Sequence, residues 1–279
     1  MSVENVILPV ENLRLGSATE RRLKRAIRKT LAVFGYEIYR GPGLTLRRRK
    51  YIGLDILRDV GALLGRSLRC MIDGGAHVGE TAVSFSDAFP EAVIYSFEPT
   101  LRSFEALQHN TRQNPHIRPI NAALGPETGR ANLNVNNCSQ TNSFLKAAAE
   151  SRRWVPVEWT ATTMTQEVTV FALDDFVPNQ LGSCVDLLKL DVQGYELMVL
   201  QGAKRLLTRG EIPLIYLEIC HVPQYREQTS LPDLYDFLYK YGYRLVSIYP
   251  IEHDVRANKY RLSSNLLFIQ ESYGRSKSS

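Results

Sequence analysis

The sequence predicts an α/β fold in which helices cover both faces of a mostly parallel sheet. Short apolar strands alternate with amphipathic helical stretches along residues 69–248, and this alternation is typical of doubly wound parallel sheets. The last two predicted strands, 243–248 and 265–270, have no helix between them. We therefore expect the sheet to end in an antiparallel pair.

Each element is predicted from its apolar periodicity and from the residues that bound it. Asn114-Pro115 and Gly210 end helices, and Ser230 followed by Pro232 marks a helix start. Residues 136–166 are polar and irregular, and loops of that length are usually lids over a site or disordered segments. The predicted strands are 69–73, 92–97, 117–123, 131–135, 167–173, 186–190, 213–219, 243–248 and 265–270, and the predicted helices are 51–64, 77–89, 101–113, 194–208 and 230–241.

Length and composition narrow the class of protein. A chain of 279 residues suits one large α/β domain with an extension. No apolar run approaches the roughly 20 residues that cross a bilayer, and the first residues lack the apolar core of a signal peptide. The four cysteines, at 70, 138, 184 and 220, share no C-x-x-C spacing and are expected to be reduced. We expect a cytoplasmic protein.

The positive charge is concentrated near the N-terminus. Residues 21–50 hold eleven Lys or Arg and one acid, so this segment has a charge of +10 and the rest of the chain −5. Apolar residues at 23, 27, 31, 34 and 38 predict an amphipathic helix over 19–39, ended by Gly41-Pro42-Gly43. We expect a basic helical extension (1–66), a main domain (67–272) and a flexible tail (273–279).

Three interpretations of this basic helix remain open. It could cap the main domain, lie on an anionic membrane surface, or contact an anionic substrate or a second copy of the chain in a homo-oligomer. Nucleic acid is not an expected partner, because the segment lacks a known binding motif and the main domain is acidic.

A glycine turn follows the first strand of the main domain. Gly75 would let the backbone approach a ligand, and Gly79 would allow tight helix packing. Asp73 would repel the phosphate that such turns usually bind but would suit an ammonium group. Glu98, followed by Pro99, ends the next strand and could hydrogen-bond ribose hydroxyls. The pattern favours an adenosine ligand with a cationic or zwitterionic tail, such as S-adenosylmethionine (SAM).

Two later strands also end in acids, Asp191 and Glu218. Ligands bind at the carboxyl ends of parallel strands, so Asp191 is expected in the same crevice as the earlier motif. Glu196 could reach this crevice or only complement the start of its own helix. Asp191, Glu218 and His221 are candidates for the base that takes a proton from a hydroxyl acceptor. Carboxylates could also hold Mg2+, but no metal-ligand spacing demands it.

Together these motifs resemble the FkbM family of SAM-dependent methyltransferases. The resemblance covers residues 71–219, and residues 264–268 show a weaker similarity. The family more often has Glu where this chain has Gln193, which is therefore not expected to be indispensable, and it often has Asn in place of His77. The resemblance rests on Asp73-Gly-Gly-Ala-His-Val-Gly79, Phe97-Glu-Pro99, Asn121-Ala-Ala-Leu-Gly125, Leu173-Asp-Asp175 and Leu188-Lys-Leu-Asp-Val-Gln-Gly-Tyr-Glu196, continuing into Val199-Leu-Gln-Gly202.

The resemblance implies a Rossmann-like, seven-stranded methyltransferase sheet with an antiparallel last strand. It also implies O-methylation of a hydroxyl on a sugar, glycan or polyketide-type metabolite. The methionine part of SAM would lie at the glycine turn, the ribose at the acid of the second strand, and the adenine near residues 123–124. By this resemblance the cofactor residues are Asp73, Gly74, Gly75, Gly79, Glu98, Pro99, Ala123, Leu124 and Asp191, and the substrate residues are Ser143 and Glu196.

Two other functions stay open. A nicotinamide-dependent oxidoreductase could use Glu98 on the ribose, although Asp73 in place of a first glycine and the acid at Asp191 argue against it. A non-catalytic module could keep the fold and use the basic helix for targeting. The expected partner of the enzyme is a small-molecule or glycan acceptor.

Overall fold

The computed structural model describes residues 6–8, 36–40, 44–48, 52–181, 185–250 and 262–275. In these residues the strands are β1 (Val6–Leu8), β2 (Tyr36–Arg40), β3 (Leu44–Arg48), β4 (Cys70–Gly74), β5 (Val93–Phe97), β6 (Ile117–Ile120), β7 (Ala123–Leu124), β8 (Gly129–Asn136), β9 (Thr162–Phe171), β10 (Leu187–Leu190), β11 (Leu214–Cys220), β12 (Tyr243–Pro250) and β13 (Ser263–Gln270). The helices are α1 (Ile56–Leu64), α2 (Glu80–Ala88), α3 (Leu101–Thr111), α4 (Leu173–Gln180), α5 (Glu196–Gln201), α6 (Lys204–Arg209), α7 (Leu231–Lys240) and α8 (Glu271–Arg275).

The main sheet has seven strands in the order β12-β13-β11-β10-β4-β5-β6. Strands β11, β10, β4, β5 and β6 pair in parallel with their neighbours. The last strand, β13, is antiparallel to both β11 and β12. The predicted Rossmann-like sheet, mostly parallel with an antiparallel last strand, is therefore confirmed.

The sheet is buried on both faces. Met71 and Leu187 pack into the apolar cluster on one face, and Ile72 and Leu188 pack into the cluster on the other. Successive side chains of a strand point to opposite faces, so these near-continuous apolar strands are what a sheet covered on both sides requires. The polar residues that end the strands are thus left at the carboxyl edge of the sheet.

The described part of the N-terminal extension contains a second, antiparallel sheet in the order β1-β3-β2. Most of the helix predicted over 19–39 lies outside the described residues. Its last four residues were predicted wrongly, because Tyr36–Arg40 forms β2 and pairs with β3. Apolar and polar residues alternate in both strands, and the intervening Gly41-Pro42-Gly43 is typical of a turn. Farther along, α1 begins at Ile56, after Asp55 caps it by accepting from the backbone N–H of Leu57 at 3.0 Å.

A third sheet, β7-β9-β8, stands beside the main one. Its long strand β9 begins at Thr162, inside the stretch that the sequence left irregular. Residues 137–161 hold only two short 3-10 turns, Ser139–Thr141 and Ser151–Arg153. Ser143 and Ala147 form isolated bridges to Asn134 and Tyr225. This segment therefore lies against the rest of the domain.

Two helices differ from their predictions for identifiable reasons. Helix α4 was missed because Pro178 lies inside it. The helix predicted over 194–208 is divided into α5 and α6, and the break falls at Gly202. A Cβ atom at Gly202 would lie 2.2 Å from the carbonyl oxygen of Gly125, so the chain approaches its neighbour too closely there for a larger residue. At the C-terminus, α8 extends past residue 272, into the stretch predicted as a flexible tail.

Candidate active site

A cleft of about 410 Å³ opens at the carboxyl ends of β4, β5, β10 and β11. Its volume falls in the range of small-molecule sites, roughly 300–1,000 Å³. Many of the residues predicted from the sequence line it: Gly75, Glu98, Pro99, Ala123, Leu124, Ser143, Asp191 and Glu218. Five predicted residues do not line it: Asp73, Gly74, Gly79, Glu196 and His221.

The glycine turn after β4 touches the turn after β10. Gly75 has a φ of +75°, and a Cβ atom there would lie 1.9 Å from the carbonyl oxygen of Asp191. The backbone N–H of Asp191 donates to the carbonyl of Gly74 at 3.0 Å. Gly79, with a φ of +94°, packs against Leu107 of α3. Gly74 and Gly79 therefore shape the cleft from behind.

Asp73 lies below the cleft and is fully buried. Its Oδ1 is 2.8 Å from Nζ of Lys189 in β10, while its Oδ2 has no hydrogen-bond partner among the described residues. Lys189 lines the cleft and also donates to the carbonyls of Gly75, at 3.0 Å, and Gly74, at 3.4 Å. Burial alone would lower the pKa of Lys189, but the charges of Asp73 and Asp191 raise it overall.

The sequence argument treated Asp73 as a free carboxylate, and the ion pair with Lys189 corrects it. The negative charge of Asp73 is already balanced inside the protein, so it does not by itself select a cation. Lys189 was missed as a site residue. The sequence does contain an indication of its role. A lysine within the apolar run Leu187–Leu190 needs a partner of opposite charge when that strand is buried.

Glu98 lines the cleft at the end of β5, where only 6% of its surface is exposed. Its Oε1 accepts from the backbone N–H of Thr100 at 2.9 Å, and its Oε2 accepts from the backbone N–H of His77 at 3.1 Å. Burial raises the pKa of Glu98, and the hydrogen bonds from Thr100 and His77 oppose that rise. Oε1 also accepts from the hydroxyl of Thr100 at 2.5 Å, so of the roughly four lone-pair sites of the carboxylate, one on Oε2 remains for a ligand hydroxyl.

Asp191 and Glu218 form a carboxyl pair in the cleft, where both lie within hydrogen-bond reach of the side-chain amide of Gln193. Burial, and then the charge of Asp191, raise the pKa of Glu218 well above its usual range, so Glu218 keeps its proton at neutral pH. Nε2 of Gln193 lies 2.8 Å from Oδ1 of Asp191 and 3.3 Å from Oε2 of Glu218. The expectation that Gln193 is dispensable overlooked these two contacts, which depend on the turn that brings β10 next to β11.

Glu196 and His221 are not brought into the cleft. The carboxylate of Glu196 turns back to accept from the backbone N–H groups of Val192 and Gly194, both at 3.2 Å. Burial raises its pKa to about 7. Nε2 of the exposed His221 lies 2.9 Å from the hydroxyl of Ser264. Their predicted contact with substrate or with a transferred proton thus finds no geometric support here.

One rim of the cleft comes from the polar segment 139–144. Ser139, Gln140, Asn142, Ser143 and Phe144 line the cleft. Oγ of Ser139 lies 2.8 Å from Nε2 of His77, and the hydroxyl of Ser143 donates to the carbonyl of Gln193 at 2.8 Å. Two hydrogen bonds therefore attach this segment to the two turns that carry the predicted site.

The described residues give no support to the Mg2+ site considered from the sequence, since they contain no cluster of three or more His, Cys, Asp or Glu side chains arranged to hold a metal ion. In the part of the chain that the structure describes, no helix has both the length and the apolar character that a membrane crossing needs.

The strand order and the cleft at the carboxyl edge define a Rossmann-like methyltransferase. The chain belongs to the FkbM methyltransferase family, because the model of the "Methyltransferase FkbM domain" matches residues 73–245. It is similar to the "2-O-methyltransferase NoeI" of Sinorhizobium fredii, with 25% identity over 77% of this chain and 89% of the relative. "Methyltransferase 1" of Beauveria bassiana is 27% identical over 60% of this chain and 72% of that protein. Membership in this family identifies the protein as a methyltransferase rather than an oxidoreductase.

Solved structures with related folds are more distant in sequence. The fibrillarin of Aeropyrum pernix in complex with SAM has a TM-score of 0.42 and 15% identity, covering 85% of this chain and 84% of its own. The METTL16 methyltransferase domain has a TM-score of 0.46 and 10% identity, covering 89% and 91% of the two chains.

Proposed function

We propose that the protein transfers a methyl group from SAM to a hydroxyl group of a sugar, a glycan or a polyketide-type metabolite. The observation that carries this proposal is the Asp191–Glu218 carboxyl pair, which faces the cleft beside the glycine turn. A hydroxyl acceptor needs a base within hydrogen-bond reach. The name of the 25% identical relative, a 2-O-methyltransferase, supports transfer to oxygen.

The residues of the cleft fit SAM. Gly75 lines the cleft, and Glu98 can accept a hydrogen bond from a ribose hydroxyl. The buried apolar residues Ala123 and Leu124 offer a surface for the adenine ring. Asp73 lies below the cleft and supports the glycine turn through its ion pair with Lys189, which donates to the carbonyl of Gly75. When bound, SAM supplies a methyl group on a positively charged sulfur.

The side chains of the cleft then orient the acceptor and handle its proton. Because the methyl group is already activated, alignment of the acceptor oxygen contributes most of the catalysis. The hydroxyl loses one proton as its oxygen becomes an ether oxygen, and the Asp191–Glu218 pair is placed to receive it. The amide and hydroxyl groups of Gln140, Asn142 and Ser139 on the rim can hydrogen-bond a polyhydroxylated acceptor.

Calorimetric titrations with SAM, S-adenosylhomocysteine and NAD test the donor. We expect both adenosyl ligands to bind and NAD not to bind, and failure of both adenosyl ligands would contradict the proposal. Tritiated-methyl SAM incubated with oligosaccharides and with hydroxylated macrolides tests the acceptor class. Asp191→Asn should bind SAM but transfer no label, whereas full transfer by this variant would remove the carboxyl pair from the mechanism.

A further inference from the structure

Gln193 occupies an unusual position between the two carboxyls and the neighbouring loop. It has a φ of +55°, in the left-handed region that residues other than glycine rarely adopt. Such a conformation is strained and persists only where surrounding contacts hold it. Those contacts include a hydrogen bond that its backbone carbonyl accepts from Ser143 at 2.8 Å. The strained turn places the amide side chain directly against Asp191 and Glu218.

The orientation of the Gln193 amide follows from its partners. The hydroxyl of Tyr225 lies 2.9 Å from Oε1, and the two carboxyl oxygens surround Nε2. The opposite orientation would set the amide oxygen 2.8 Å from Oδ1 of Asp191. That would bring together three oxygen atoms with the single carboxyl proton of Glu218 between them. The amide must therefore present its two N–H donors to the carboxyls.

The amide of Gln193 makes a shorter hydrogen bond to one carboxyl than to the other. The contact with Asp191 is shorter, 2.8 Å against 3.3 Å for Glu218, and a shorter bond from a donor favours the ionised carboxylate. Both residues are half-buried and line the cleft, and burial raises the pKa of Glu218. The shorter amide contact favours the negative charge on Asp191, and the raised pKa of Glu218 favours the proton there.

We propose that Gln193 is a positioning residue that makes Asp191 the base and Glu218 its protonated partner. This inference rests on the proposed function, in which the acceptor hydroxyl gives its proton to the pair. The O–H bond of the acceptor breaks and its proton passes to the carboxylate of Asp191. An electron pair of the acceptor oxygen would form the new C–O bond as the methyl C–S bond of SAM breaks, and the electron pair of that bond would stay on the sulfur of S-adenosylhomocysteine. The ionised carboxylate also attracts the positive sulfonium.

The other titratable groups around the pair belong to several elements. Lys189 offers the opposite charge, and Glu196 adds a neighbouring carboxyl. The remaining titratable groups on which the charge of Asp191 or Glu218 acts are His77, Tyr216, Cys220 and Tyr225. None of these groups donates to both carboxyls, so the substitution of Gln193 isolates the contribution of its amide.

The test is a pH titration, followed by NMR, of protein whose Asp and Glu carboxyl carbons are labelled with 13C. Asp191→Asn and Glu218→Gln assign the two resonances. In the unaltered protein we expect, at neutral pH, an ionised Asp191 and a protonated Glu218. Gln193→Met keeps the side-chain length but removes both donors. It should raise the proton affinity of Asp191 about tenfold or more, the effect of losing a hydrogen bond to a charged group.

Two further variants keep the inference falsifiable if Gln193→Met does not fold. Tyr225→Phe removes the hydroxyl next to the amide, together with its contacts to Thr141 and Gln224, and should move the Asp191 titration in the same direction by a smaller factor. Gln193→Glu adds a third carboxyl and should make the cluster bind one more proton. The control is Gln108→Met on the exposed face of α3, which should leave both resonances unchanged.

The inference would be overturned if the proton affinity of Asp191 changed less than twofold in Gln193→Met. A protonated Asp191 beside an ionised Glu218 at neutral pH would also overturn it. The titration contains no SAM, so it is independent of donor binding. A protein that titrates as expected but binds no SAM would contradict the proposed function and leave the hydrogen-bonding role of Gln193 supported.

Discussion

Replacing Lys189 with methionine tests whether the buried ion pair behind the cleft organises the site. The side chain of Lys189 is 8% exposed and that of Asp73 0%, and their charged atoms are 2.8 Å apart. Methionine has a similar unbranched shape but carries no charge. Lys189→Met therefore leaves a fully buried carboxylate without its counter-charge and removes the donors to the carbonyls of Gly74 and Gly75.

The expected loss of stability is large. Breaking a buried pair by removing one partner costs about 3–5 kcal/mol, a substantial part of the roughly 5–15 kcal/mol that stabilises a domain. Asp73→Asn combined with Lys189→Met removes both charges. Because no uncompensated carboxylate remains, we expect the double variant to be more stable than Lys189→Met by at least about 1 kcal/mol.

Urea unfolding at pH 7 of the unaltered protein, both single variants and the double variant gives the coupling energy. Lys204→Met, at the exposed start of α6, is the matched control and should change stability by less than about 0.5 kcal/mol. The reasoning would be refuted by a Lys189→Met variant that loses less than about 1 kcal/mol. It would equally be refuted if Asp73→Asn gave no recovery in the Lys189→Met background.

Three further predictions concern the turns and the rim. Gly75→Ala should lose about 2–4 kcal/mol of stability and most of its SAM affinity. The reason is that the added Cβ would lie 1.9 Å from the carbonyl oxygen of Asp191, at a residue whose φ is +75°. Urea unfolding measures the stability, and calorimetry measures the affinity. Glu196→Gln should flatten the pH dependence of stability between about pH 4.5 and 7. Burial raises the pKa of Glu196 to about 7, so the folded protein binds the proton that the unfolded chain has released, and stability falls as pH rises through this window by up to about 3 kcal/mol; urea unfolding at several pH values checks this. Ser139→Ala removes the hydrogen bond to His77 and should speed the dissociation of SAM severalfold, measured by stopped-flow displacement.

Two of these predictions have a control variant elsewhere in the chain. Gly129→Ala, where a Cβ atom meets nothing within 4 Å, should be neutral, and equal losses at both glycines would contradict the argument from close approach. A Glu196→Gln variant with the original pH slope would show that another group titrates. Ser84→Ala, on the exposed face of α2, should leave the rate of SAM dissociation unchanged. If Ser139→Ala also released SAM at the rate of the unaltered protein, the rim would not retain the ligand.

Local patterns were sufficient for most of the fold. Strand β4, helix α3 and helix α7 were predicted to within about two residues, because apolar periodicity and end signals act over a few neighbouring positions. The antiparallel pair β12–β13 was predicted from the absence of a helix between the two strands. The errors at β2 and at the α5–α6 break arose where pairing or close packing with distant residues overrode the local pattern. Helix α4 was missed because of Pro178 inside it.

The sequence by itself determined that acids and glycines end the strands of a parallel sheet, and hence that a ligand site lies at the carboxyl edge. It also led to the prediction that Glu98 binds the adenosine part of the ligand. The resemblance to the FkbM family was visible in the sequence too, and the family match over residues 73–245 confirmed it. These conclusions need only the order of residues along the chain, since strand ends of a parallel sheet meet at one edge.

Only the tertiary structure decided which charges in the site are free. Asp73 is neutralised by Lys189, Glu218 shares a proton with Asp191, and Glu196 turns away from the cleft. The two contacts of Gln193, with Asp191 and with Glu218, are likewise visible only in the tertiary structure. Charge and hydrogen bonding depend on distances of a few ångströms between residues far apart in the chain, and no spacing along one sequence encodes those distances.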